Sequence, residues 1–151
     1  MARDNGIRFS VTLSEFLSTL HVGRARRIRI QDAEEFAIKR SHVDVVFAIN
    51  TFDVVPPATR AHMTEAAIQN LRREGLYVVI IPRNDVTITS RCTRGNRFLD
   101  GHVFTHHGVR TFFRNFQEYD SVIRLIRRRG AELIADLSVY RHVCLLFAKR
   151  A

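Results

Sequence analysis

A mostly parallel α/β sheet closed by a C-terminal antiparallel hairpin is the fold class that three observations predict. Stretches of strand periodicity alternate with stretches of helical periodicity along the chain. Two runs, VDVVFAI (43–49) and LYVVII (76–81), are apolar on both faces, as strands buried between helix layers are. The last two apolar stretches are separated only by Tyr140-Arg141, short enough for an antiparallel hairpin. A length of 151 residues and a hydrophobic fraction of 46% suit one domain, 1–151, around a single core.

The elements follow in order. Gly6 to Val11 alternates apolar and polar residues, which predicts a short strand. Leu13, Phe16, Leu17 and Leu20 share one helical face, and Thr12 with Glu15 has capping-box spacing at the start of that helix. After a turn at Gly23, Arg27 to Gln31 reads as a second alternating strand, ended by Asp32-Ala33-Glu34-Glu35. The run 43–49 is the third strand. Pro56-Pro57 then introduces a helix with an apolar stripe at Met63, Ala66, Ala67, Ile68 and Leu71, running to a stop at Gly75. Leu76 to Ile81 is the fourth strand, closed by Pro82. From Arg83 to Asn115 the pattern breaks into a polar stretch with three glycines, read as a long functional loop. Tyr119, Val122, Ile123 and Ile126 mark a last helix that stops at Gly130, and 132–139 with 142–148 form the hairpin.

Composition narrows the function. Twenty-four Lys and Arg against fifteen Asp and Glu give a formal charge of +9, a field that attracts polyanions. The cations are mostly arginine, grouped in RARRIR (24–29) and RLIRRR (124–129). No uninterrupted apolar stretch is long enough for a membrane span, and the N-terminus lacks the pattern of a secretory signal, so a cytoplasmic protein without membrane association is expected. Two cysteines make no disulfide framework.

Sheets of this class bind ligands at the carboxyl ends of their strands, where loop backbone and helix N-termini converge. Those ends carry Asp32-Ala33, Asn50-Thr51-Phe52-Asp53 and Pro82-Arg83-Asn84-Asp85. With IRIQDAEEF (28–36), VDVVFAINTFDVVPP (43–57) and LYVVIIPRND (76–85) in that order, followed by a helix and a hairpin, the chain resembles the class I S-adenosylmethionine-dependent methyltransferases, whose fold is Rossmann-like. The resemblance covers roughly residues 28 to 150 and rests on ordered patterns more than on invariant letters.

The resemblance implies S-adenosylmethionine as cofactor, held by Asp32 at the adenine amine, Ala33 through its backbone, and Asn50, Thr51 and Phe52 beside the methionine part. It places a methyl acceptor, a small molecule or a nucleic acid, near Asp53, Arg83, His106 and His107. It also implies a strand order of 3-2-1-4-5-7-6. The chain departs from the pattern in having no Gly-x-Gly, and Gly6 to Val11 aligns with the family's second strand. The family's first strand and helix are therefore missing, as in an N-terminally shortened chain, and either the family's second strand pairs directly with its fourth or a homo-oligomer, a partner chain or a swapped segment completes the sheet.

Blander readings compete at each position. An Asp after a strand is commonly a turn residue or a helix cap. Cys92, His102, His106 and His107 have no recognised metal-ligand spacing, and no metal is expected. Cys92 has no visible orienting group or oxyanion site that would make it a nucleophile. Phe104, Phe112, Phe113 and Phe116 among Arg110 and Arg114 suit a loop anchor, yet single-stranded nucleic acids are also bound by aromatics interleaved with arginines. The alternative to a methyltransferase is accordingly a non-catalytic basic module of the same fold that binds RNA or another acidic partner through its arginines.

Overall fold

The computed structural model describes residues 42–151 apart from 84 and 107, all within one compact unit, Phe36–Ala151. The expected strands and helix before residue 42, with Asp32 and Ala33, lie outside the described residues.

Strand β1 (Val43–Ile49) is followed by helix α1 (Pro57–Asn70) and strand β2 (Leu71–Pro82). The two strands pair in parallel across this crossover, with Val45 to Ile49 opposite Leu76 to Ile80. The helix starts where the diproline dictates. Pro56 is the N-cap in extended conformation, and Pro57 takes the first helical position, where a missing N–H costs nothing. Its buried residues include Arg60, Thr64, Ala67 and Ile68, spaced to lie on one face.

The helix ends earlier than its sequence predicts. Leu71 is already extended, and Val43 pairs with it, so the chain leaves the helix at Asn70 rather than at Gly75. The register then slips between Val43 and Val45, and Glu74 adopts φ 62°. Gly75 serves close approach rather than capping: a Cβ there would stand 2.9 Å from the Arg72 carbonyl oxygen and 3.1 Å from that of Asp44. Lys149 Nζ donates to the Leu71 carbonyl at 2.7 Å, fixing this corner against the last strand.

Helix α3 (Asp120–Arg127) leads through Gly130, at φ +95°, into strands β6 (Ala131–Asp136) and β7 (His142–Lys149). Asp120 in the first turn and Arg124 and Arg127 in the last complement the helix dipole. Strands β6 and β7 pair antiparallel, and β7 also pairs antiparallel with β2. The sheet order is therefore β1-β2-β7-β6, one parallel and two antiparallel pairings. This is the 4-5-7-6 half of the expected order, with the reversed strand in its expected place. The core is formed by Leu71, Val79, Ile81, Val143, Leu145 and Phe147 from the sheet, with Ile68, Val122 and Ile126 from its helices and Phe52 and Phe116 from loops. Each such buried side chain contributes about 1.5–3 kcal/mol relative to exposure.

The polar stretch after β2 is not a structureless loop. It forms helix α2 (Val86–Arg94) and a second, antiparallel sheet of strands β3 (Asn96–Phe98), β4 (Gly101–His106) and β5 (Val109–Phe113). Gly101 is required by packing, since a Cβ there would lie 2.4 Å from Phe112 Cζ and 2.5 Å from the Phe113 carbonyl oxygen. No helix among the described residues is long and apolar enough to cross a membrane.

Candidate functional site

The carboxyl ends of β1 and β2 lie side by side because the strands are parallel and in register. The Asn50 N–H donates to the Ile80 carbonyl at 2.8 Å, the last bond of that ladder, and Asn50 then turns the chain at φ 51°. Asn is one of the few residues with a side chain that visits this left-handed region readily. Thr51, Phe52 and Asp53 follow, and α1 begins a few residues later. On the neighbouring strand, the Arg83 N–H donates to the Arg141 carbonyl at 2.8 Å, and its guanidinium lies 6.0 Å from the centre of the Tyr119 ring.

Orphaned polar atoms concentrate at this mouth. Among the described residues, buried side-chain atoms without a hydrogen-bond partner are Asn50 Oδ1, Thr51 Oγ1, Asp53 Oδ1, Arg83 Nε and Arg129 Nε. All but the last come from the ends of β1 and β2. An unsatisfied buried polar atom costs about 1–3 kcal/mol, so four at one place mark a position where polar groups of a ligand or solvent complete the bonding.

Behind the mouth the side chains are buried. Phe52 is fully buried and belongs to the core. Asp53 is 3% exposed, and burial pushes its carboxyl up to about 6; its own backbone N–H and the Arg60 cation act against that rise, and Asp85 adds to it. Arg60, from the first turn of α1, is also buried, which lowers it to about 10 and leaves it charged at neutral pH. Its Nε donates to the Val55 carbonyl at 2.9 Å, and its two Nη atoms form a bidentate pair with Asp100 at 2.6 and 2.7 Å. The Arg114 N–H donates to the Asp53 carbonyl at 2.7 Å, and its guanidinium joins the same Asp100. The second sheet is thereby tied to the strand ends.

Beside Arg114 an open cleft of about 560 Å³ lies between α2 and β4, with Thr89, Thr93, His102 and Asn115 among its walls. Cys92 also borders it, but burial raises its thiol and its Sγ donates to the Phe113 carbonyl at 3.7 Å, so it is a protonated packing residue.

The site residues expected from the sequence are thus distributed as follows. Asn50, Thr51 and Arg83 meet at the strand ends, with Phe52 and Asp53 beneath them. His106 closes β4 opposite Val109; His107 lies outside the described residues, as do Asp32 and Ala33. Sequence reasoning missed Arg60 and Asp100. Arg60 carries a legible signal, a lone cation on the buried stripe of an otherwise small-residue helix face, whereas Asp100 lies in a turn that no periodicity marks.

No protein-family model matches the chain, and no curated protein matches its sequence. Solved structures do match its fold. The chain is similar to 1,6-didemethyltoxoflavin-N1-methyltransferase of Burkholderia thailandensis, solved with 1,6-didemethyltoxoflavin and S-adenosylhomocysteine bound, at 13% identity and TM-score 0.55, covering 77% of this chain and 48% of that one. A SAM-dependent methyltransferase from Methanosarcina mazei matches at 10% identity and TM-score 0.58, over 81% of this chain and 66% of that one. Magnesium protoporphyrin IX methyltransferase from Synechocystis, with S-adenosylhomocysteine bound, matches at 14% identity and TM-score 0.53, over 92% and 57%. The chain spans about half to two thirds of the length of these proteins. Its fold is that of the class I S-adenosylmethionine-dependent methyltransferases.

Proposed function

We propose that the chain binds S-adenosylmethionine at the carboxyl ends of β1 and β2 and supports methyl transfer to an acceptor held under the second sheet. The observation that carries this reading is the coincidence of the 4-5-7-6 strand order with orphaned polar atoms of Asn50, Thr51, Asp53 and Arg83 at the mouth of the parallel pair β1 and β2. A nucleoside with an amino-acid tail presents the donors and acceptors that such atoms lack.

Asn50 Oδ1 and Thr51 Oγ1 would hold the amino-acid part, with the backbone after Ala48 as floor; the adenine is assigned by the resemblance alone to Asp32 and Ala33, which lie outside the described residues. Phe52 supports this turn from the core rather than touching a ligand with its ring. The cofactor supplies an electrophilic methyl on a sulfonium, which becomes a neutral thioether as the acceptor atom takes the methyl. The chain's own contribution is position and exclusion of water. A proton released by the acceptor needs a base near neutral pH, and Asp53, at about 6, has the affinity for that role.

The test is calorimetric and thermal titration with S-adenosylhomocysteine. Saturable binding is expected, with stabilisation of about 2.7 kcal/mol at a hundredfold excess over Kd. Asn50→Ala and Asp32→Ala should each weaken it. A flat titration overturns the reading.

A further inference from the structure

Two guanidiniums converge on one carboxylate beside the strand ends. Arg60 Nη1 and Nη2 donate to Oδ2 and Oδ1 of Asp100 at 2.7 and 2.6 Å, and Arg114 Nη1 donates to the same Oδ2. The Phe116 ring lies 5.3 Å from the Arg60 guanidinium and 4.4 Å from that of Arg114, with Phe112 at 5.8 Å from Arg60. The arginine fork and the flat aromatic faces together select a planar anion.

The three partners are not anchored equally. Arg60 is 5% exposed on α1 and braced by the Val55 carbonyl. Arg114 is held through its main chain to Asp53, and its Nη2 donates to Ser121 Oγ at 3.3 Å. Asp100, by contrast, sits on the β3–β4 turn. All three residues of β3 are exposed, Phe98 and Leu99 are 49% and 60% exposed, and Leu99 stands at φ 53°. A left-handed conformation is strained for a residue with a Cβ. Two cations packed together need an anion between them, and the burial and neighbouring Arg60 that lower Arg114 express that need. The anion now supplied is carried by the least secured element nearby, next to a cleft that Arg114 itself lines.

We infer that Arg60 and Arg114 form a carboxylate-binding site whose resident occupant is Asp100, and that a ligand carboxylate binds there by displacing Asp100 and releasing the β3–β4 turn. The body of the ligand extends into the cleft among Thr89, Thr93, His102 and Asn115. Under the methyltransferase reading this ligand is the acceptor, but the binding claim does not depend on that reading, and its test needs no cofactor.

Benzoate is the probe, with benzamide as its uncharged counterpart. Asp100 competes intramolecularly with any added carboxylate, so Asp100→Asn should tighten benzoate binding by about tenfold or more and leave benzamide unaffected. In the unaltered protein, saturating benzoate should speed amide hydrogen exchange of residues 98–101 while leaving β2 and β7 unchanged. If Asp100→Asn does not fold alone, benzoate but not benzamide should restore its folding. Equal responses to the two probes, or no gain in benzoate affinity and no rescue on removing Asp100, overturn the inference. Absence of adenosylhomocysteine binding alongside benzoate binding would sink the methyltransferase reading alone.

Discussion

Replacing Asp53 by Asn isolates the electrostatic cost of a carboxylate held almost entirely out of water. Asp53 is 3% exposed, and burial raises it from an ordinary value of 3.8 to about 6. At about 1.4 kcal/mol per tenfold change in proton affinity, that displacement is worth about 3 kcal/mol. The sign follows from the folded state holding the proton more tightly than the unfolded chain. The contribution of Asp53 to stability is fully present below pH 3.8 and is lost as pH rises through about 6. Asn does not titrate, and groups common to both proteins cancel in the difference. An amide placed where Oδ1 lacks a partner adds a separate cost of about 1–3 kcal/mol, but that cost does not vary with pH. Urea denaturation of both proteins at half-unit steps from about pH 4 to pH 7 therefore reads the slope rather than the offset. The unaltered protein should lose about 2.4 kcal/mol of that total relative to Asp53→Asn across the window. Parallel stability curves would refute the argument that burial sets the acidity of Asp53.

Other perturbations test separate parts of the fold. Gly101→Ala drives a methyl into Phe112 and the Phe113 carbonyl, so denaturation should show a loss of about 1–3 kcal/mol, and an unchanged midpoint would mean that β4 and β5 pack otherwise. Tyr119 donates to Asp136 Oδ2 at 2.7 Å, and the Ser138 N–H donates to Oδ1 at 2.9 Å; burial acts to raise the Asp136 carboxyl, but the hydrogen bonds from Ser138 and Tyr119 outweigh it and hold the group below its ordinary value. Tyr119→Phe should therefore raise the Asp136 titration midpoint in carboxyl-detected NMR, and an unmoved midpoint would assign the lowering to Ser138 and the Arg83 charge. Ile81→Ala, at a fully buried position near the end of β2, should cost about 2–5 kcal/mol by the same denaturation assay.

The frame was legible because its physics is local. Runs 43–49 and 76–81 are apolar on both faces, the diproline sets the start of α1, and Gly130 ends the last helical turn. Topology too was readable, since β7 lies between β2 and β6 in the order that the resemblance implies. What escaped was set by contacts distant in sequence. The end of α1 is fixed by pairing of Leu71 with Val43 and by Lys149, neither visible in the helix's own residues. The second sheet was hidden by composition: residues 96–113 are rich in Arg, His and Gly, and three exposed residues suffice for β3. A signal was nevertheless present there. Residues 101–106 and 109–113 flank His107-Gly108, and Gly108 at φ 78° is where a two-residue connection places its glycine. At the site, the strand ends pointed to Asn50, Thr51 and Arg83, but a salt bridge joining residues forty positions apart left no trace in spacing.

The segment between Pro82 and Tyr119 departs from the frame and returns to it without interrupting the pairing of β2 with β7. Doubling the length of such an excursion adds only about 0.6 kcal/mol of closure entropy. The excursion can therefore be lengthened, shortened or rewritten at little cost to the frame beneath it, provided its anchors to that frame survive.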